Sequence, residues 1–306
     1  MLETELEWIG HGEIKVVGYM PEDEVFHLES RHLGLVTPQE MENLQEKVRQ
    51  AGEILAKTVD LELLEKIAGE VAVWKTEVSE ESEKVGNLKS KNDPVRIAVA
   101  RDEAFCFYYK DNLELLESLG CEVIEFSPLH DKKLPENVKG ILLGGGYPEL
   151  YGKELAENQS MLESIRRALD DKIPCLAECG GFMYLHETLT DENGQTYPMV
   201  GAVRGGCHNT GKLVRFGYVN VTEQESHFLS QKVIRAHEFH YYDSDSNGES
   251  CEAVKPTTGR KWKCIHENEN FWWGYPHLYY PSNPAFVEHF IGEAKKWKKR
   301  EDRCKS

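Results

Sequence analysis

The segment Pro174-Cys175-Leu176-Ala177-Glu178-Cys179-Gly180-Gly181-Phe182-Met183-Tyr184-Leu185 constrains the fold more than any other. An apolar run reads as a strand ending at Cys179, and an apolar-periodic helix starts just after it. Ala177, Gly180 and Gly181 keep the junction small. This is the pattern of a nucleophile elbow: small, any, nucleophile, any, glycine. A sharp strand-to-helix turn leaves no room for side chains, and glycine tolerates its dihedrals. A thiol placed there meets a helix N-terminus, whose dipole favours the thiolate. The N–H of Gly180 would point where an oxyanion forms. A buried structural cysteine before a Gly-Gly turn fits the same residues, and the segment alone leaves both readings open. Cys175 reads as an ordinary core cysteine.

The surrounding pattern predicts an α/β fold with a mostly parallel sheet flanked by helices. Val95–Ala100 is a continuous apolar run, suited to a strand buried on both faces. A helix over 112–119 closes at Gly120, and Cys121–Phe126 is a second strand. Residues 139–143 lead into Gly144-Gly145-Gly146, a helix follows near 155–169, and 173–177 is another buried strand. Strands alternating with helices imply right-handed crossovers. After Leu189 the chain turns to strand-like stretches, including 218–221 and 233–242. A last helix is predicted over 284–299, its basic end complementing the dipole and reading as a solvated helix end.

Ahead of this block, 14–19 reads as a strand. Thr37, Pro38 and Glu40 form a capping box for a helix running to about Lys57. Asp60 caps a second helix with Leu61, Leu63, Leu64, Ile67 and Ala68 on one face. Residues 77–93, EVSEESEKVGNLKSKND, are charged, poor in large apolar groups and followed by Pro94, so they read as a linker. With 306 residues, one large domain or two ordinary ones are expected. A hydrophobic share of 40% excludes a wholly disordered chain. A net charge of -17 argues against a non-specific nucleic-acid binder. No apolar run is long enough to cross a membrane, and the first residues resemble no signal peptide. None of the eight cysteines forms a CxxC pair, so a zinc ribbon is not expected, and a reduced, cytoplasmic protein is.

Two further signals bear on chemistry. Gly144-Gly145-Gly146 ends a strand. Its N–H groups could donate to an oxyanion, cradle a phosphate, or simply make a tight turn, though no Gly-Lys-Ser/Thr follows. A cysteine nucleophile needs a base, usually a histidine distant in sequence. Twelve histidines are available, and sequence alone does not choose among them. His237-Glu238-Phe239-His240 is one residue short of the HExxH zinc motif, and no metal site is expected.

Six separated motifs nonetheless resemble one family in its order: RDEAFCFYY (101–109), FSPLHDKKLP (126–135), GGGYPE (144–149), AECGGFMYL (177–185), AHEFHY (236–241) and YPHLYYPSNP (275–284). They are similar to the cobyrinic acid a,c-diamide synthases, glutamine-dependent amidotransferases of cobalamin biosynthesis. RHLGLV (31–36) and the two helices after it resemble the family's middle section. The resemblance implies a class I-like glutaminase domain over 95–290, followed by a basic helix end and tail (291–306). It places the nucleophile at Cys179 and its base at His277. It also implies an oxyanion and glutamine site at Gly145, Gly146 and Gly180. Glu103, Tyr109, His237 and His240 become candidates to face substrate, a core role for the 103–109 motif being as reasonable. Where the family often reads His-Leu-His, Tyr279 stands third. The carboxylate that related glutaminases carry two residues after the base is absent, so a dyad is expected with its orienting group unidentified.

Family members begin with an ATP-binding domain carrying a phosphate loop, which is absent here. Residues 1–76 would be that domain's C-terminal remnant and 77–94 a linker, the chain being a fragment or one product of a split gene. The implied partners are glutamine, the corrin cobyrinate and a separate synthetase half, with a homodimer left open. ATP and Mg²⁺ would serve the complete enzyme and not this chain alone. Nickel-sirohydrochlorin diamide synthesis, and an inactive interaction subunit, are the competing readings.

Overall fold

The computed structural model describes residues 2–9, 14–28, 30–31, 34–35, 41–71, 94–230 and 232–298. Contacts divide the chain into two compact units, Met1–Val78 and Ser79–Ser306.

The first unit holds helices Leu44–Thr58 and Leu61–Gly69, a short helix Leu2–Trp8 and a two-stranded ribbon. Asp60 caps the second long helix, its carboxylate accepting from the N–H of Leu63 at 2.9 Å. Along that helix Leu63 and Ile67 are half-buried, whereas Leu61 and Leu64 are exposed. The strand expected over 14–19 shrinks to one bridge, Gly18 with Val59. Its partner is the end of a helix, so no ladder can propagate. The Thr37–Glu40 capping box and the 77–93 linker lie outside the described residues. The helix itself begins later than expected, at Leu44.

The second unit is built on a six-stranded sheet. In order across it run His266–Asn268, Phe271–Gly274, Cys175–Glu178, Gly140–Leu143, Val95–Ala100 and Cys121–Phe126. All neighbours are parallel except the first pair. The apolar runs are continuous because both faces are buried. In the Val95–Ala100 strand, Ala98 and Ala100 enter one core while Val95, Ile97 and Val99 enter the other. Ile141 and Leu143 part from Leu142, and Cys175 and Ala177 from Leu176, by the same alternation.

One core is closed by helix Gln159–Asp170 and a four-stranded sheet that includes His186–Thr190 and Val203–Asn209. The other is closed by helices Lys110–Ser118 and Pro284–Lys296 and by a five-stranded antiparallel sheet. Phe286 and Phe290 of the last helix are fully buried, each worth roughly 2 kcal/mol of transfer free energy.

Two predicted helices differ. The one expected over 155–169 breaks at Asn158, between Gly152–Glu157 and Gln159–Asp170. There the buried Asn158 amide donates to the carbonyls of Pro128 and Asp131, both at 2.8 Å. The last helix stops at Lys296, because Trp297 turns extended and its indole N–H donates to the carbonyl of Asp171 at 3.0 Å. No described helix is long and apolar enough to cross a membrane.

Candidate active site

The chain leaves the Cys175–Glu178 strand through a strained residue. Cys179 has φ 47° and ψ -105°, a conformation costing roughly 1–3 kcal/mol outside glycine. Two hydrogen bonds hold it there. Its N–H donates to the carbonyl of Gly274 at 2.9 Å, and its carbonyl accepts from Met183 at 2.9 Å. The following helix, Gly180–Tyr184, is only five residues long. The elbow read from sequence is therefore present at the C-terminal edge of the parallel sheet, where sites of open α/β folds gather.

His277 reaches the same edge from the neighbouring strand. Phe271–Gly274 runs parallel to Cys175–Glu178 with Gly274 opposite Glu178. The chain then enters the short strand His277–Leu278, which pairs with Ala236–His237 of the antiparallel sheet. The glycine turn joins the two sides. A Cβ on Gly145 would lie 2.3 Å from Cε1 of His277, and one on Gly180 would lie 3.0 Å from the N of Gly146. The residue after Cys179 and the ring of His277 thus abut one turn that admits no side chains. Tyr108 clamps that turn: its hydroxyl donates to the carbonyl of Ala100 and accepts from the N–H of Gly144 at 2.9 Å. The Gly144 N–H is therefore spent, which removes it from the oxyanion donors expected of the turn. Tyr108 does not engage Gly145, Gly146 or Gly180, although Gly145 and Gly146 pair with Phe107 and Phe105 in a short antiparallel ribbon.

Burial governs the charges. It pushes the Cys179 thiol well above its usual range, with Glu149 adding to the effect and the Gly180 N–H opposing it. The sequence had suggested a thiolate favoured by the helix dipole. A helix end contributes about 0.3–1 kcal/mol, whereas full burial can shift a group by 3–5 pKa units, so desolvation wins. Burial also lowers His277 to about 4, helped by His237 and His240. The pair rests as neutral thiol and neutral imidazole.

Two groups went unread in the sequence. Glu178, directly before the cysteine, is buried, and burial raises it to about 8 against the pull of hydrogen bonds from Tyr280 and from the Leu278 N–H. Buried Asn112 donates to the carbonyl of Leu278 at 2.7 Å and accepts from the N–H of Tyr280 at 2.9 Å. It thereby fixes the backbone just after His277. A lone acid ending an apolar strand beside a nucleophile was the available signal for Glu178. Asn112 gave none.

The other predicted residues scatter around the edge. Tyr109 is exposed and meets Tyr279 edge-on, ring centroids 6.2 Å apart. His237 lies opposite His277 across the strand pair, its ring against Tyr218 and Phe216. His240 is buried, stacked on Tyr275 at 4.0 Å, with Nε2 3.2 Å from Glu238. His237 and His240 stand three apart on one strand and so face opposite sides. Glu103 pairs with His130 at 2.9 Å. Phe105 is core, fully buried against Tyr184.

The model of the CobB/CobQ-like glutamine amidotransferase domain matches residues 96–285, and the chain belongs to that family. Two of its relatives share one name. The cobyrinate a,c-diamide synthase of Clostridium acetobutylicum is 39% identical over 297 residues, covering 95% of this chain and 64% of that protein. That of Caldanaerobacter subterraneus subsp. tengcongensis is 40% identical over 261 residues, covering 83% of this chain and 56% of its own. The chain thus spans less than two thirds of the length of these relatives. A solved structure of a glutamine amidotransferase aligns with 65% of this chain at 16% identity and a TM-score of 0.47.

Proposed function

We propose that this chain is the glutaminase portion of a cobyrinate a,c-diamide synthase. The observation that carries it is the strained Cys179, whose next residue packs on the same glycine turn that the His277 ring abuts. In the reaction, His277 accepts the Cys179 proton as sulfur attacks the side-chain amide carbon of glutamine. N–H groups from Gly145, Gly146 and Gly180 receive the oxyanion, each donor worth roughly 3 kcal/mol. The C–N bond breaks and the imidazolium gives its proton to departing ammonia. Water then attacks the thioester with His277 as base, releasing glutamate and restoring the thiol. The neutral resting pair suits this sequence, because charge appears only when substrate is present to stabilise it.

Ammonia would go to the a and c carboxylates of cobyrinate, the acceptor that the relatives' name specifies. On this reading residues 1–76 belong to the synthetase domain, 77–94 link it to the glutaminase, and 291–306 are a helix end and tail. ATP and Mg²⁺, which would activate those carboxylates, find no fit in the glycine turn. The Gly144 N–H is taken by Tyr108, and His277 crowds Gly145. No step through ATP is therefore assigned to these residues.

The test is intact mass after exposure to a glutamine-mimicking diazoketone. One adduct is expected on the chain and none on Cys179→Ala. An adduct that survives in the variant, or none even with a synthetase half added, would refute the assignment.

A further inference from the structure

We propose that Glu178 is the positioning residue for His277, replacing the carboxylate that Tyr279 displaces from the usual place. The inference rests on the glutaminase reading of Cys179 and His277. One carboxylate oxygen of Glu178 stands 4.0 Å from Nδ1 of His277, and the other accepts from the hydroxyl of Tyr280 at 3.0 Å. The Leu278 N–H also donates to this carboxyl. Glu178 is therefore held by the two residues that follow Tyr279 and precede it, with its remaining oxygen turned to the histidine. The backbone of that segment is in turn fixed by Asn112.

Tyr279 cannot take the role, since its hydroxyl donates to the carboxylate of Asp111 at 3.0 Å and its ring is exposed. Glu178 is 7% exposed at the end of a strand whose other residues are all apolar. A carboxyl kept at such a position is costly unless something uses it. The groups facing it are the Tyr280 hydroxyl, the Leu278 N–H, the His277 ring and the Cys179 thiol, with Tyr108 and Tyr109 near by.

A separation of 4.0 Å is longer than a hydrogen bond. Catalytic hydrogen bonds are often long before substrate binds and tighten in the complex. Once the carboxyl ionises, above about 8, its oxygen on the Nδ1 side is an acceptor that selects the Nδ1–H tautomer and leaves the Nε2 lone pair free to take the thiol proton. As His277 becomes imidazolium, the same carboxyl faces the new positive charge. Glu178 touches neither glutamine nor the sulfur in this scheme and acts only through the ring.

The experiment reads the tautomer directly. Long-range ¹H–¹⁵N spectra of the histidine-labelled full chain, with His277→Gln to identify the signals, report which ring nitrogen carries the proton. The wild type is expected to show Nδ1–H at pH 9, where Glu178 is ionised. Glu178→Leu, which keeps the bulk and removes the acceptor, is expected to lose that preference. It should also slow diazoketone labelling of Cys179 by at least about 100-fold, toward the roughly 10⁴-fold known for loss of a triad carboxylate, with the half-saturating concentration unchanged. A merely structural clamp would not set the tautomer. Nε2–H in the wild type would overturn the proposal even if the variant fails to fold, and so would a Leu variant with unaltered tautomer and labelling rate. Nδ1–H in a chain that Cys179 labelling never touches would retire the glutaminase reading and still support the role of Glu178.

Discussion

Gly145→Ala should disable the site without unfolding the protein. The backbone there lies outside the left-handed region, so alanine meets no conformational barrier. The obstacle is contact. The new Cβ would sit 2.3 Å from Cε1 of His277 and 3.2 Å from Cβ of Phe107. Two carbons rest at roughly 3.5 Å, so the imidazole must retreat by about 1.2 Å. A misplacement of about 1 Å at a reacting group can cost roughly 10²-fold in rate, equivalent to about 2.7 kcal/mol of barrier. Folding stability should fall by less, about 1–2 kcal/mol, because a half-buried ring can move where a packed strand cannot. Labelling of Cys179 by a glutamine-mimicking diazoketone, followed by intact mass over time, gives the rate, and urea melts give the stability. The expected result is a rate reduced about 100-fold with a native-like melt. A wild-type labelling rate would refute the claim that the glycine turn seats His277 against the nucleophile.

Two further outcomes follow from buried groups. Asn112→Leu leaves the Leu278 carbonyl and the Tyr280 N–H unpaired, which should cost roughly 2–5 kcal/mol; the midpoint of a urea melt should drop with its slope unchanged. His186 is fully buried, bonded to the Phe182 carbonyl and the Ser244 hydroxyl, and burial lowers it to about 4, as it does His277. Each histidine must take up a proton on unfolding below about 6.5. Each therefore contributes up to roughly 3 kcal/mol that is present above 6.5 and lost as pH falls toward 4. Glu178, raised to about 8, has the opposite sign: its contribution is present below about 4.5 and lost as pH rises through 8. Between 4 and 6.5 the two histidines outweigh it, so stability should fall on acidification. His186→Asn should make that fall shallower, and an unchanged slope would show that His186 does not hold its proton off in the folded chain.

The strands were legible because the central ones are buried on both faces and carry their signal locally, as apolar runs bounded by glycine, proline or charge. The elbow was legible for a related reason, since a nucleophile turn needs small residues within a few positions of the cysteine. What stayed hidden is what the topology brings from afar. Asn112 meets Leu278 across 166 positions, and nothing near Asn112 marks it as anything but a polar residue early in a helix. The break at Asn158 was hidden in the same way, because the amide answers carbonyls of the 128–131 loop and not of its own helix. Electrostatics was misread for a different reason. The pattern of glycines announces a helix N-terminus, but not that the helix is five residues long or that Cys179 is 8% exposed. Once burial is known, the thiol cannot be activated by the helix alone. Activation must come from a neighbour that accepts its proton, and that neighbour must be held in one tautomer before glutamine arrives. The carboxyl next in sequence to the nucleophile, folded against the histidine from the adjoining strand, meets that need at a place where a sequence motif would look for nothing more than the end of a strand.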